Sequence, residues 1–557
     1  MAGSRSSAGL QPLANRQIRR IESYYVSTPA GVVTALAVGY SIARHMTLLY
    51  LIFAAFALAL LVLKPNLAIY ATIVLAFGAF PDSLRLSIHH PKPQIIYFYE
   101  ITLTIAAIYC ARSLRPRAEA ARWISIFVLV VGLAIALGFY RANSPNQIFR
   151  ESHLLDLALG YYVAASVINS EHQATAMKVA GWTLVEAATM AVLGPLLGVR
   201  LAGREETTHL GDNVAADATR VLGNAQFLAL AVVCILLALY LAGFTPSVNR
   251  LSFWLAPSLV LLLLAFSRNS IIALAATAVF TLLTMRSSET LRRITAAAGV
   301  VLAVVVPSYL LLRAALPENP LVKYLASQIQ AYQLRVFGGL SGSAIQTDPS
   351  AQYRLLENTY LVRAINENPV IGHGLGYAYK PPMGTDPSSF EATLGQFYAH
   401  NFYLWIAVKA GLVGATAVLW FAGKSVMWAL RSHRPAGVAV GAAASAFLVV
   451  CLVAPLPLDP SNNLIFGVML GLAAAQTRLA SDQALDSELI DGTNRESIGS
   501  ERPTPVIVRR RRKIHPGRGL TSMRGPDQTQ VLRIPPGPPT RDQESHDVEP
   551  GWTNELI

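Results

Sequence analysis

FYLWIAVKAGLVGATAVLWFAGKSVMWAL, residues 402–430, is the longest apolar run in this chain. It contains two charged side chains, Lys409 and Lys424. A bilayer core of about 30 Å is crossed by about 20 apolar residues in a helix, so this run is long enough to span a membrane. The run therefore predicts a transmembrane helix and directs attention to the runs before and after it.

The composition of the whole chain is typical of a membrane protein. Of its 557 residues, 53% are hydrophobic and 14% are charged, whereas soluble domains carry about 25% charged residues. Most of the charges behind the net charge of +13 lie in short gaps between apolar runs, which favours membrane-flanking loops over a nucleic-acid-binding face. The three cysteines lie in separate apolar runs, so neither a disulfide framework nor a CxxC metal site is predicted.

Apolar runs of this kind predict an all-α polytopic fold with about fourteen transmembrane helices, give or take about two where short runs pair as a hairpin. The clear candidates are Met46–Leu63, Ile95–Ala111, Trp123–Tyr140, His153–Ile168, Thr175–Val199, Val221–Phe244, Leu251–Phe266, Ile271–Met285, Ile294–Leu312, Phe402–Leu430, Ala436–Leu452 and Asn463–Gln476. Two shorter runs, Gly31–Ala43 and Asn66–Phe80, are included because predicted spans flank them.

The distribution of Lys and Arg predicts the orientation, because cytoplasmic loops are enriched in both. With the N-terminus inside, the inner segments hold a consistent excess of arginine: Arg16, Arg19, Arg20, Arg112, Arg115, Arg117, Arg122, Arg286, Arg292, Arg293, Arg431 and Arg434. We therefore expect a multi-pass protein of the cytoplasmic (plasma) membrane with both termini in the cytoplasm. No cleavable signal peptide is evident in the first 30 residues.

Five segments follow from this pattern. They are a cytoplasmic N-terminal arm (1–30), an N-terminal transmembrane bundle (31–312), an extracytoplasmic loop (313–399), C-terminal transmembrane helices (400–478) and a disordered cytoplasmic tail (479–557). The loop is far longer than ordinary connections, which indicates a function. Helical spacing of Leu355, Leu356 and Leu361 predicts an amphipathic helix over 351–367 inside it.

The recognisable metal and nucleotide motifs are missing from the sequence. It has no HExxH, no DxD, no P-loop and no GxGxxG after a strand, so we expect no metal site and no cofactor. The most informative pattern is His400-Asn401, nine residues, then Gly411-Leu412-Val413-Gly414. On a straight helix, Gly411 would lie about 16 Å below His400, near the midplane, and Gly411 and Gly414 would form a small-residue packing face.

This pattern resembles the signature of the O-antigen ligase and O-antigen polymerase family. The segment Asn-Pro-Val-Ile-Gly-His-Gly-Leu-Gly, residues 368–376, is similar to that family's Asn-Pro-x-x-Gly-x-Gly-x-Gly, and Ser267-Arg268 is similar to its Ser-Arg. The resemblance covers roughly residues 221–476. It implies a GT-C-like helical bundle and a glycosyltransferase that moves a glycan from polyprenyl (undecaprenyl) diphosphate to a glycan or lipid acceptor at the outer face of the membrane, in cell-envelope polysaccharide biosynthesis.

The same resemblance implies catalytic residues. His400 would be the general base or acceptor-orienting group, since a neutral imidazole accepts a proton near neutral pH. Arg268 and Arg354 would clamp the pyrophosphate, because a guanidinium binds phosphate oxygens in pairs. Asn401 and Arg363 are further candidates for substrate binding, and Arg363, nine residues beyond Arg354, is expected on roughly the same helix face.

The glycines of the loop and the buried charges leave alternatives open. Gly372, Gly374 and Gly376 either shape a loop over the pyrophosphate or form a plain turn. Charges inside apolar runs are usually paired or functional. For Lys409 we expect a structural ion pair, for instance with Glu186 or Asp156.

Two other classes of protein remain open on the sequence alone. One is a flippase or transporter of lipid-linked oligosaccharides, and the other is a peptidoglycan polymerase of the shape, elongation, division and sporulation family. The long outer loop and the His–Arg group favour chemistry over transport. Polymerase and ligase are not separated, because both share the signature, and no nucleic-acid partner is expected.

Overall fold

The computed structural model describes residues 57–476 except 58, 82–86, 90–94, 115–117, 169, 198, 200, 202–203, 209–217, 245, 266, 301–302, 304–305, 316–325, 327–348, 383–393 and 433. The predicted arm 1–30, the run Gly31–Ala43, most of Met46–Leu63 and the tail 479–557 lie outside this part of the chain. The assigned orientation and the five-segment division stay predictions.

The described residues are mostly helical. In chain order the helices are α1 Leu67–Phe77, α2 Phe98–Ser113, α3 Ala118–Tyr140, α4 Pro145–Ser152, α5 Leu155–Val167, α6 Gln173–Leu196, α7 Gln226–Leu241, α8 Val248–Ala265, α9 Arg268–Met285, α10 Ser288–Val300, α11 Val306–Ala315, α12 Pro349–Glu367, α13 Phe402–Arg431, α14 Pro435–Val450 and α15 460–476. Short 3-10 helices cover Leu394–Gln396 and Leu456–Leu458.

Among the described residues, five helices are long and apolar enough to cross a membrane. They are Ala120–Tyr140, Gln173–Gly194, Val248–Ala265, Arg268–Met285 and Phe402–Arg431, and α1, α7 and α14 are shorter apolar helices. Many large apolar side chains on these helices are exposed, among them Leu133, Leu263 and Leu283. Exposed apolar faces on long helices are expected where lipid is the solvent. An integral membrane protein is therefore supported, while the number fourteen stays a prediction.

One feature of the described residues differs from the all-α prediction. The chain forms two antiparallel hairpins, β1 Ser87–His89 with β2 Ile95–Tyr97 and β3 Arg204–Thr208 with β4 Ala218–Leu222. Both lie between apolar helices, where polar and β-branched residues can pair their backbone groups across strands. Within the predicted span Ile294–Leu312, helix is described up to Val300 in α10 and from Val306 in α11, and residues 301–302 and 304–305 lie outside the described part of the chain.

Helices α7, α9 and α14 pack together and fix which helix ends are neighbours. Thr290, just after α9, donates its hydroxyl to the carbonyl oxygen of Leu241 at the end of α7. Ala238, also near the end of α7, packs with Ala439 and Ala442 near the start of α14. The end of α7, the end of α9 and the start of α14 therefore lie on one side of the bundle. The starts of α7 and α9 and the end of α14 lie on the other.

Candidate active site at the start of α13

Helix α13 is broken at Gly411, which has a left-handed backbone conformation (φ 69°, ψ 177°). Such a break removes the usual helical partners of the backbone groups around it. A loop, residues 369–376, replaces them, and we call it the docking loop. The backbone N–H groups of Leu412 and Val413 donate to the carbonyls of Pro369 and Val370, at 2.8 and 3.4 Å.

The docking loop in turn donates hydrogen bonds to the broken helix. The N–H groups of His373 and Gly374 donate to the carbonyls of Val408 and Lys409, at 2.8 and 2.9 Å. These are two of the carbonyls that a continuous helix would have bonded four residues ahead. The broken helix and the docking loop thus satisfy each other, and no free carbonyl is left at this pair of positions.

The glycines of the docking loop allow its backbone to lie close to α13 and α3. Gly372, Gly374 and Gly376 have φ of 71°, 82° and 76°, a region that L side chains rarely adopt. A Cβ on Gly372 would collide with the backbone of Gly411, and one on Gly374 would collide with the backbone of Gly138 in α3. These glycines therefore let the docking loop pack closely against α13 and α3, and the loop over a pyrophosphate stays a prediction.

The break also changes the shape expected for the longest apolar run. The sequence predicted one straight helix, whereas the helical direction changes at Gly411. The twenty residues 412–431 alone rise about 30 Å, enough for a bilayer core. Leu412 and Val413 are exposed whereas Trp405 and Ile406 are buried. The depth of Gly411 in a membrane stays a prediction, and Gly414 packs closely, with Val130 of α3 beside it.

Lys409 has a partner that the sequence did not predict. Its Nζ, fully buried, lies 2.6 Å from Oε1 of Glu151 in α4 and donates to the carbonyl of Tyr377 at 2.9 Å. The other carboxylate oxygen of Glu151 accepts from the N–H of Gly376 at 2.6 Å. An ion pair was expected, but the suggested partners were wrong. Glu186 accepts instead from the N–H of Ala79.

Asp156, the other suggested partner, accepts a hydrogen bond from the hydroxyl of Tyr99 at 3.0 Å. It also belongs to a cluster with Glu100 and His153 whose potential metal-ligand atoms lie within 4.8 Å of one another. Nδ1 of His153 is already 2.5 Å from Oε1 of Glu100. Protein partners therefore account for these side chains, and we base no metal site on them.

His400 lies just before α13 and is held by a buried carboxylate. Its backbone N–H and its Nδ1 both contact Oε2 of Glu357, at 2.6 and 2.9 Å. A carboxylate only accepts, so Nδ1 is the ring nitrogen that carries the proton, and Nε2 is left as the basic nitrogen. The His400 side chain is 27% exposed, whereas that of Glu357 is 1% exposed.

A lysine completes the group around Glu357. Nζ of Lys380, 1% exposed, lies 2.6 Å from the second carboxylate oxygen and donates to the hydroxyl of Tyr353 at 2.7 Å. Burial by itself would raise the pKa of the Glu357 carboxyl, but the hydrogen bonds from His400 and Lys380 outweigh it and hold that pKa below its ordinary value. Glu357 is thus anionic and fixed at neutral pH.

The Glu357 and Lys380 roles were missed by the sequence prediction. The expected amphipathic helix is present as α12, but its buried positions are Glu357, Leu361 and Ala364, whereas Leu355 and Leu356 are exposed. A carboxylate on the buried i, i+4, i+7 face was the signal available. Nothing in the local sequence of Lys380 pointed to its partner, which lies 23 residues away.

Asn401 acts as the N-cap of α13. Its Oδ1 accepts from the N–H groups of Tyr403 and Leu404 at 3.0 and 3.2 Å. These are orphan donors of the first helical turn. The oxygen is therefore occupied by the helix, and only the amide nitrogen of Asn401 is left for the substrate contact expected from the sequence.

The three arginines of the sequence analysis are placed differently. Arg354 is half-buried and lies three residues before Glu357 on α12, about 60° around the helix. Arg363 lies on the opposite side from Arg354, because nine residues turn a helix by about 180° modulo full turns. Its side chain is 78% exposed and paired with Glu367 at 3.5 Å, so the expectation of a shared face is wrong.

Arg268 opens α9 and is half-buried. The start of α9 lies on the same side of the bundle as the end of α14, by the packing described above. At that end, the carbonyl of Cys451 accepts from the N–H of Phe402, the first residue of α13. Arg268 and His400 thus lie at the same end of the bundle.

A cavity of about 270 Å³ lies near His400, which does not itself line it. Tyr398 borders the cavity and packs edge-on against the His400 ring, with centroids 5.5 Å apart. Arg150 and Glu151 of α4 form part of the wall, and Asp459 lies on another side. None of these wall residues was predicted from the sequence.

Comparison with family models gives a match in the second half of the chain. Residues 251–421 match the model of a family described as O-Antigen ligase. The matched segment includes Arg268, α12, the docking loop, His400 and the break at Gly411. A search of curated proteins finds no significant match.

Proposed function

We propose, from the match of residues 251–421 to the O-antigen ligase family model, that this chain transfers a polyprenyl-diphosphate-linked glycan to an acceptor at the outer face of the plasma membrane. The match supports in general a membrane protein that joins cell-surface glycans. The donor, the acceptor and the sidedness belong to the proposal. The observation that carries it is the contact between His400 and the buried, anionic Glu357.

The proposed reaction is a direct displacement at the anomeric carbon of the donor. Nε2 of His400 takes the proton of an acceptor hydroxyl, the acceptor oxygen bonds to the anomeric carbon, and the bond from that carbon to the phosphate oxygen breaks. The electron pair leaves with the polyprenyl diphosphate, and the configuration inverts. Glu357 stabilises the imidazolium that forms and keeps Nδ1 protonated, the division of roles that an oriented base requires.

Cationic side chains are needed for the leaving group, since charge develops on the pyrophosphate as it departs. We assign this role to Arg268 and Arg354, supported by their half-buried positions at the end of the bundle where His400 lies. Arg363 faces away and is paired with Glu367, so it has no part in the proposed site. The sequence lacks known metal and nucleotide motifs, and the proposed reaction uses neither.

The membrane arrangement of the proposal places the carrier lipid beside α13. The apolar side chains exposed after Gly411 give the polyprenyl tail and membrane lipids a surface to contact, while the docking loop and α12 stand on the outer side. Both termini, the arm 1–30 and the tail 479–557, are cytoplasmic in this proposal. Polymerisation of repeat units and ligation of finished chains are both compatible with the site.

In vitro transfer tests this function. The full-length protein in liposomes is supplied with polyprenyl-diphosphate glycan and acceptor glycan extracted from its source cells, with EDTA and without nucleotide. Elongated or newly linked glycan together with released polyprenyl diphosphate supports the proposal. Movement of the lipid-linked glycan across the bilayer without formation of a new glycosidic bond would instead identify a flippase.

A further inference from the structure

The walls of the cavity beside His400 have a composition that the proposed pyrophosphate site does not explain. Aromatic rings dominate them: Tyr97, Phe149, Phe397, Tyr398 and Trp405. The face of an aromatic ring carries partial negative charge and attracts the C–H hydrogens of a ligand, and apolar walls with a few polar groups are typical of small-molecule sites. A ring that presents both C–H bonds and hydroxyls suits such walls.

The polar groups of the cavity can serve hydroxyls. Among the residues that the structure describes, the side chains of Arg150 and Gln147 make no hydrogen bond or ion pair, and both border the cavity. Asp459 accepts from Asn462 through Oδ2 at 3.2 Å, which leaves Oδ1 as an acceptor. A guanidinium, an amide and a carboxylate together offer donors and acceptors, as a hydroxyl requires.

The charges of the walls nearly cancel. Glu151 is neutralised by Lys409 at 2.6 Å, and the remaining charges of Arg150 and Asp459 have opposite signs. His153 is paired with Glu100. A pyrophosphate carries several negative charges and would need an excess of cations, so a neutral polyhydroxyl group fits the cavity better than the diphosphate does.

We propose that this cavity binds a sugar ring of the acceptor glycan, with Arg150 and Asp459 hydrogen-bonded to its hydroxyls and Phe149 against its C–H face. The inference rests on the proposed function and deepens it. The acceptor is favoured over the donor because Tyr398 connects the cavity to His400, the base that deprotonates the acceptor hydroxyl. At about 270 Å³ the cavity is near the lower end of small-molecule sites, so it holds a terminal sugar rather than a long chain.

The buried ion pair between Glu151 and Lys409 positions this subsite. Glu151 follows Arg150 in α4 and ties that helix to Gly376 of the docking loop and to Lys409 of α13. The docking loop thus sets where Arg150 points, which links the glycine motif to acceptor recognition. Glu151 and Lys409 are positioning residues in this account, not contacts to the sugar.

The test varies acceptor and donor separately in the liposome transfer assay. Arg150→Ala and Phe149→Ala are expected to raise the KM for the acceptor about tenfold or more, with the KM for the donor within about twofold of wild type. The matched control is Arg292→Ala, an exposed arginine of α10 paired with Glu289, which is expected to change neither constant. Arg150→Lys should recover part of the acceptor affinity.

An acceptor KM equal to wild type in both variants overturns the inference, and so does a rise confined to the donor, which would make the cavity a donor subsite. Direct binding gives a second readout that needs no turnover. Saturation-transfer NMR with methyl glycosides of glucose, galactose, mannose and N-acetylglucosamine should show contact with wild type that weakens in Arg150→Ala. The same signals in both proteins would contradict the proposal. If wild type transfers nothing, the proposed function itself fails.

Discussion

One carboxylate oxygen of Glu357 accepts two hydrogen bonds from His400, one from the backbone N–H at 2.6 Å and one from the ring Nδ1 at 2.9 Å. The first contact fixes the residue and the second fixes the ring, so Nε2 has a defined direction. The carboxylate sits on α12 and the histidine at the start of α13, 43 residues apart. The position of α12 therefore controls the direction of the proposed base.

Replacing Glu357 by Gln should reduce kcat strongly. The amide cannot stabilise the imidazolium, and it presents a donor as well as an acceptor to Nδ1. We expect a loss on the order of 10²–10⁴-fold in kcat with a smaller change in KM. Unchanged kcat would separate Glu357 from the chemistry.

The Glu357 pKa also predicts a pH dependence of stability. Because the folded-state pKa lies below the ordinary value, near 4.3, this carboxylate stabilises the fold at and above that value and loses the contribution as pH falls through the folded-state pKa. The Tm difference between wild type and Glu357→Gln should be constant from pH 6 to 8 and shrink below about pH 4. A difference that grows on acidification would contradict this sign.

Gly411→Ala should destabilise the protein and weaken transfer. The substitution puts a Cβ at φ 69°, where it would collide with the carbonyl of Val370 in the docking loop. The cost is about 1–3 kcal/mol from the backbone conformation, plus any loss of loop contacts. Gly423→Ala is the matched control, since the space around that glycine of α13 is open and its backbone is helical.

Thermal unfolding in detergent and limited proteolysis of the docking loop check this difference. Gly423→Ala should be neutral or slightly stabilising, because Ala has the higher helix propensity. Equal stability of the two variants would show that the break at Gly411 does not hold the loop.

Each single substitution in the Lys409–Glu151 pair should lower the free energy of unfolding strongly. The double substitution should lower it by less than the sum of the two. Lys409→Met leaves a buried carboxylate without its cation, and Glu151→Gln leaves a buried ammonium, each at about 3–5 kcal/mol. Lys409→Met with Glu151→Gln removes both charges and keeps an acceptor for the N–H of Gly376. Additive losses in this double-mutant cycle would mean that the two residues are not coupled.

The sequence was sufficient for the mostly helical membrane character of the fold and for the two helices that carry the candidate site, whose function stays a prediction. Apolar runs such as 402–430 predict membrane helices because periodicity and length are local properties. The His400-Asn401 pattern located the start of α13, and α12 was predicted within two residues at its start. The resemblance seen in the glycine and arginine motifs agrees with the family match over 251–421.

The features that the sequence did not predict all depend on contacts between segments that are distant in the chain. Glu357 looked like one polar residue of an amphipathic helix, and its importance depends on Lys380 and His400, which local spacing does not reveal. The partner of Lys409 is 258 residues away in α4. The break at Gly411 was read as part of a straight helix, because only the docking loop makes the break stable.

Transfer by wild type and His400→Ala, measured side by side from the same polyprenyl-diphosphate glycan in liposomes, decides whether His400 is the base. We expect new glycosidic bonds with wild type and transfer reduced by at least about 10²-fold with His400→Ala, at equal amounts of folded protein. A well-folded His400→Ala protein that transfers at the wild-type rate would exclude this role.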